Sequence, residues 1–211
     1  METVQRTSRR PPGIRELPIV AGHLALDFGN TVDDPLGPER FDHVIDYEGL
    51  LNWSERVRIL PDGSVTTLRS TAEQHPRRAA TVVSQADLLR SAINETFGAV
   101  IEGRVPTAGW VELQQFAATA IQHAGLVPAG PQLAPTWDFS ELESPLWPVA
   151  ESAYALLKSP LLGRLKRCAG CPWLFLDQSK NNSRRWCSME ICGTDQKIRR
   201  YVAKRADRRT P

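Results

Sequence analysis

The hydrophobic positions divide the chain into a short irregular start, a series of helix-period segments and a distinct C-terminal stretch. Residues 1–18 are poor in apolar side chains, and Pro11, Pro12, Gly13 and Pro18 break any period, so they read as a disordered arm. Ile19–Asn30 has the β-branched and aromatic content of a short strand, with turn chemistry after it at Asp33-Asp34-Pro35 and Gly37-Pro38. From Asp46 to Val57, Tyr47, Leu50, Leu51, Trp53 and Val57 recur at roughly helical spacing, and Asp46 is placed to cap the first turn. Pro61-Asp62-Gly63 closes that unit with a tight turn. Two longer helices follow, one from about Ala79 to Gly103 and one from about Pro106 to Ala124, with Gly125 as a stop. Leu126–Phe139, with Pro128, Gly130, Pro131 and Pro135, suggests a short irregular hairpin. Ser144-Pro145 opens a further helix to about Lys158, and Ser159-Pro160 repeats the device for a short helix leading to Cys168. The pattern predicts an α+β fold: a mostly helical N-terminal domain with a few short strands over residues 19–159, then a small unit over 160–211.

The length of 211 residues suits this division, and 41% apolar with 24% charged residues suits a soluble, packed chain. No stretch approaches the roughly 20 uncharged apolar residues of a membrane span, and no apolar run follows Arg6, Arg9 and Arg10. A cytoplasmic protein without membrane contact is expected. The net charge of +2 conceals an asymmetry: residues 161–211 hold 13 Lys/Arg against 4 Asp/Glu, while residues 1–160 hold 13 against 20. A basic tail on an acidic body points to a polyanionic partner, the plainer alternative being a solvated basic helix.

All four cysteines lie in that tail, spaced Cys168-x2-Cys171-x15-Cys187-x4-Cys192. A Cys-x2-Cys turn aims two sulfurs at one point, and 15 residues allow a hairpin to bring back the second pair. Trp173–Leu176 reads as the first strand, Arg184–Trp186 as its return, and Gln178–Ser183 as the turn between them. Cys192 then falls in the first turn of a final helix running to about Arg205. Knuckle, hairpin and ligand-bearing helix make a small treble-clef-like zinc finger. A module of about 45 residues with few apolar side chains needs such a metal to fold. Four thiolates close the coordination sphere, so one structural Zn2+ is expected, with no place for an activated water.

On the final helix, Ile191, Ile198 and Val202 fall within about 40° of one another, whereas Lys197, Arg200, Lys204 and Arg208 occupy a separate arc. One side is thus expected to pack on the finger and the other to present cations. Arg199 and Arg205 flank that row, and Lys180, Arg184 and Arg185 add charge from the hairpin. These eight residues from Lys180 to Arg205, without Arg208, are the candidate nucleic-acid contacts, and DNA is the expected partner. The alternative is that the row docks against the acidic body.

Cys168-Ala169-Gly170-Cys171-Pro172-Trp173-Leu174-Phe175-Leu176-Asp177, then Ser179–Met189 with its Ser-Arg-Arg-Trp-Cys core, then Cys192-Gly193, resemble the CGNR zinc-finger family. Leu24-Ala25-Leu26-Asp27-Phe28-Gly29-Asn30-Thr31 and Tyr47-Glu48-Gly49-Leu50-Leu51 with Trp53 are similar to the ABATE domain that precedes such fingers. The resemblance implies a bacterial, stress-related transcription regulator whose finger binds DNA and whose body senses a signal. One departure stands out: the family's Cys-Gly-Asn-Arg reads Cys192-Gly193-Thr194-Asp195 here. The ligands are untouched, but Asp195 favours the helix dipole while repelling a phosphate at the helix N-terminus. Contact with a polyanion is therefore expected further along, at Lys197, Arg200 and Lys204.

In the body, Asp27, Asn30 and Thr31 stand where the predicted strand ends, a place for polar groups that meet a small-molecule effector; the alternative is that Asp27 and Asn30 satisfy backbone donors in the following turn. His23, His43, His75 and His123 have no acidic or cysteine neighbour at ligand spacing, and no nucleophile motif is present. No enzymatic activity is expected. The competing readings are an RNA-binding or protein-interaction module, and a thiol switch in which oxidation ejects zinc. One finger buries little surface on DNA, which argues for a homodimer, but no heptad specifies one.

Overall fold

The computed structural model describes residues 16–33 and 40–207, except for the side chains of residues 199, 200, 203, 204, 206 and 207. Most of the predicted arm and the turn at residues 34–39 lie outside that range. Its end does not: Leu17 is buried in the core, and Glu16 pairs with Arg56. The chain therefore joins the fold before residue 19.

The body is helical, as expected. Helix α1 (Leu24–Gly29) precedes a two-residue antiparallel pair, β1 (Val32–Asp33) with β2 (Phe41–Asp42). Helices α2 (Tyr47–Arg56), α3 (Ser64–Gln74), α4 (Pro76–Ile101) and α5 (Ala108–Gln122) follow, then the hairpin β3 (Gly125–Ala129) and β4 (Gln132–Thr136), and α6 (Leu146–Leu157). α5 packs between α4 and α6, and α1 sits against both α4 and α6. α1 stands where the sequence pattern placed a strand. Ala25, Leu26, Phe28 and Gly29 are all buried, and an apolar run of that length has no period to separate a central helix from a buried strand.

Asp46 caps α2, accepting from Gly49 N at 2.7 Å, and α4 opens with Pro76 in its first turn. α3 buries Leu68 fully, with Val65 and Ala72 half-buried on the same face, a stripe only three residues long. Ser144 does not cap α6; its hydroxyl donates to Glu141 O instead. The hairpin is regular, five residues on each strand, with Gly130 at φ +63° in the turn. Trp137 donates from Nε1 to Ala120 O at 2.8 Å and holds the hairpin's end to α5.

Ser159 accepts from Leu161 N and opens a 3-10 turn, Pro160–Arg164, as predicted. The next strands correct the predicted hairpin. β5 (Leu165–Arg167) pairs antiparallel with β6 (Leu174–Leu176), so the Cys168–Cys171 turn is itself the hairpin tip, and Arg184–Trp186 forms no strand. A π-helical turn, Met189–Gly193, then leads into α7 (Thr194–Asp207).

β6 is buried along its whole length, and the core runs unbroken from Leu17 through α1 and α4 to Leu174, Phe175 and Cys187. The finger thus shares the body's core, which removes the premise that it lacks apolar support of its own.

Candidate metal centre and nucleic-acid interface

The β5–β6 hairpin turns tightly because Cys168 N donates to Trp173 O at 2.9 Å. Within the turn, Gly170 N reaches Cys168 Sγ at 3.4 Å, and Cys187 N reaches the same sulfur at 3.2 Å. Ala169 N donates to Arg185 O at 2.9 Å, which brings the second half of the finger onto the first. Ser188 accepts from Ile191 N and starts the turn that carries Cys192. A Cβ on Gly170 would stand 3.1 Å from Cys192 Cβ, so a side chain there would crowd the closure over the fourth cysteine.

The four sulfurs lie within 4.8 Å of one another, and Cys171–Cys187 and Cys187–Cys192 are each 3.6 Å apart. All four are free thiols. A tetrahedral zinc with Zn–S near 2.3 Å has sulfurs about 3.8 Å apart, so the set fits that ion. The thiols also crowd one another. Hydrogen bonds from Cys171, Cys187 and Cys192 push Cys168 far below the usual thiol range, while Cys171 and Cys187 are pushed up. Such a cluster holds several thiolates only around a cation. These cysteines form one structural Zn2+ site. Among the described residues it is the only group of three or more ligand-type side chains close enough to share a metal.

Asp177, fully buried, organises the rest of the finger. It accepts from Lys166 Nζ at 2.6 Å, Arg184 N at 2.8 Å and Ser179 N at 2.9 Å. Burial pushes its carboxyl up, but these bonds, led by Lys166, outweigh it and hold the group below the usual carboxylate range. Arg184, expected to face nucleic acid, turns inward instead. It donates to Trp186 O, Val20 O and Cys187 O, and its guanidinium lies 4.6 Å from the Phe175 ring centre. Neither role was legible from spacing, because both partner sets are assembled by the tertiary fold.

Lys180, Arg185, Lys197 and Arg205 are exposed. Arg185 lies against Trp186, and Arg205 against Tyr201. The side chains of Arg199, Arg200 and Lys204, like Arg208 as a whole, lie outside the described residues; the backbone of the first three belongs to α7. The apolar side of α7 does not pack on the finger as predicted. Ile198, Tyr201 and Val202 are 54%, 61% and 58% exposed, and only Ile191, in the preceding turn, is half-buried. The finger's apolar surface is already covered by the body, so α7 packs on the π-helical turn and projects beyond it.

The three residues assigned to a ligand are occupied within the fold, though not by the following turn: Asp27 reaches back to the preceding residues and Asn30 reaches across to β6. Asp27 Oδ1 accepts from Val20 N and Ala21 N. Asn30 clasps β6 in both directions, donating to Leu174 O at 2.8 Å and accepting from Leu174 N at 3.0 Å. Thr31 donates to Phe28 O and accepts from Arg90, which also binds both oxygens of Asp42 at 2.6 Å. Trp173 adds a further tie, its Nε1 donating to Val32 O at 2.9 Å. His43 does gain an acidic neighbour, because β1 brings Asp33 to 2.8 Å from its Nε2. A cleft of about 330 Å³ opens where body and finger meet, with Arg40, Ser91 and Asn94 on one wall and Arg167 and Trp173 on the other.

A model of the CGNR zinc finger matches residues 164–205. A second model, ABATE, described as "Putative stress-induced transcription regulator", matches residues 22–160. No curated protein matches the chain. No helix among the described residues is long and apolar enough to cross a membrane. With the larger of the two models spanning more than half its length, the chain belongs to the ABATE family and carries a CGNR zinc finger behind that domain.

Proposed function

We propose that this chain is a DNA-binding transcription regulator of the cytoplasm, without enzymatic activity of its own. The zinc-ordered finger presents α7 to the duplex. Lys180, Arg185, Lys197 and Arg205, with Arg199, Arg200 and Lys204 on the same helix, supply the phosphate contacts. Arg184 is excluded because its guanidinium is engaged by backbone carbonyls. The observation that carries this reading is α7 itself, which projects from the fold with exposed cations while residues 1–160 hold a net acidic balance. Asp195, exposed in the first turn, keeps phosphate away from the helix start and favours contact further along. The body acts as the sensor, and the cleft between body and finger is where an effector would touch both.

Titration of duplex DNA at several salt concentrations tests the reading. With about five phosphates neutralised, log K falls against log salt with a slope near −4.5. Joint replacement of Lys197, Arg200 and Lys204 by Ala weakens binding while zinc stays at one per chain. An affinity indifferent to salt overturns the proposal, and preference for single-stranded RNA in the same titration replaces it with the RNA reading. A thiol switch is a second reading, favoured by the half-exposed Cys171 and Cys192. Peroxide would take two electrons from two thiolates, giving a disulfide and water and releasing zinc; retention of zinc under mild peroxide excludes it.

A further inference from the structure

The least charged stretch of the molecule is also one of its most exposed apolar ones. Glu112 is the only Asp, Glu, Lys or Arg in residues 105–137. The same stretch holds Val105, Val111, Ile121, Leu126, Val127 and Leu133, all large hydrophobic side chains exposed to solvent. It ends in the β3–β4 hairpin, whose β3 residues are all exposed.

The register sorts the hairpin's side chains into two faces. Leu126 lies opposite Pro135 and Pro128 opposite Leu133, and directly opposed residues share a face. That face is therefore Leu126, Pro128, Leu133 and Pro135, without a polar side chain, and its two leucines are 67% and 64% exposed. The prolines also decide how it can be used. In an antiparallel pair, alternate residues direct N–H toward the partner strand or away from it. Proline has no N–H, and Pro128 and Pro135 fit this regular hairpin where the nitrogen points outward. Each free edge thus loses a donor, which disfavours addition of another strand. The face remains available; the edges are blunted.

We propose that this face seats a second copy of the chain, so that the protein is a homodimer joined hairpin to hairpin. Charge selects the occupant. Nucleic acid, anionic lipid and acidic proteins require cations that residues 105–137 lack, and a basic partner would find Glu112 alone. An uncharged apolar face matches another of its kind, and a twofold axis through the hairpin makes it its own complement. Two bodies that each carry a net acidic balance also meet here with the least repulsion. The inference does not depend on DNA binding.

The test uses the full zinc-loaded chain in size-exclusion chromatography with light scattering, from micromolar to the highest soluble concentration. The wild type is expected at twice the chain mass of 23.5 kDa, with a melting temperature that rises with concentration, and L126K/L133K at the single mass with unchanged zinc content and a cooperative melt independent of concentration. Both side chains are already in solvent in the single chain, so the substitutions leave the core intact. A wild type monomeric at every concentration overturns the proposal. So does a dimer that survives L126K/L133K, or one that I198K on α7 abolishes while L126K/L133K leaves it intact. Should the double variant fail to fold, hydrogen exchange on the wild type decides the matter. Slower exchange at Leu126, Val127 and Leu133 on raising the concentration supports the interface, and unchanged exchange overturns it.

Discussion

The strand β6 and the helix α7 flank the same four cysteines yet meet the molecule in opposite ways. Leu174, Phe175 and Leu176 are at most 1% exposed, and their strand is held by Asn30 and by Leu176 N donating to Ala21 O at 2.8 Å. Ile198, Tyr201 and Val202 are all more than half exposed, and α7 leans on the π-helical turn. One side of the metal is built into the fold, and the other is offered to the surroundings. A metal at such a boundary serves two ends: it completes a shared core and it aims a helix that the core does not hold.

The largest expected effect comes from removing the boundary itself. Cys168→Ser breaks the metal site and removes the sulfur that accepts from Gly170 N and Cys187 N, in a hairpin continuous with the body's core. Structural zinc contributes on the order of 10 kcal/mol in small domains, so a loss above about 5 kcal/mol is expected here. It should appear in the body as well as the finger, as altered near-ultraviolet dichroism and a lowered melting temperature. Lys197→Ala, on α7, should leave both unchanged. An unaltered body after zinc loss would break the comparison.

Asn30→Ala probes the inner side more finely. It strands the N–H and the carbonyl of Leu174, both buried, and a cost of about 2–4 kcal/mol is expected in urea unfolding, with zinc still bound. A cost under about 0.5 kcal/mol would mean that the clasp is incidental.

The smallest effect concerns pH. Burial lifts the Asp27 carboxyl to about 6, against the hydrogen bonds from Ala21 and Val20. The fold prefers the protonated form, so the contribution of Asp27 is complete below its unfolded value of 3.8 and is lost as pH rises through about 6. Its share of the stability lost by neutral pH is on the order of 2–3 kcal/mol. Asp27→Asn keeps an oxygen for both N–H bonds, which reach a single carboxyl oxygen, and should flatten the decline between pH 4 and about 7. A slope unchanged by the substitution would remove Asp27 as its source.

Cysteine spacing announced the metal centre, because ligand chemistry is local: two pairs within 25 residues admit few other uses. α2, α4 and α5 were legible for the same reason, each having an apolar period and a start or stop signal. What stayed hidden depends on partners distant in sequence. The partner of β6 is β5 rather than Arg184–Trp186, because Asp177 and the carbonyls around Cys187 draw that return into an irregular loop. Arg184 and Arg185 look alike in the chain, yet one faces inward and the other is exposed. The helical moment of α7 was real, but no helix face can reveal that its expected receptor is already taken.

The turn Met189–Gly193 carries a ligand and, one residue later, becomes α7. Fourteen residues make a lever about 20 Å long, pivoting on the sulfur of Cys192. A tilt of 5° at that fulcrum displaces the tip by about 2 Å, comparable to the rise of a single helical residue. Substituting a larger soft ion such as cadmium would therefore steer the far end of the rod while leaving the buried strand at rest, turning coordination chemistry into angular displacement.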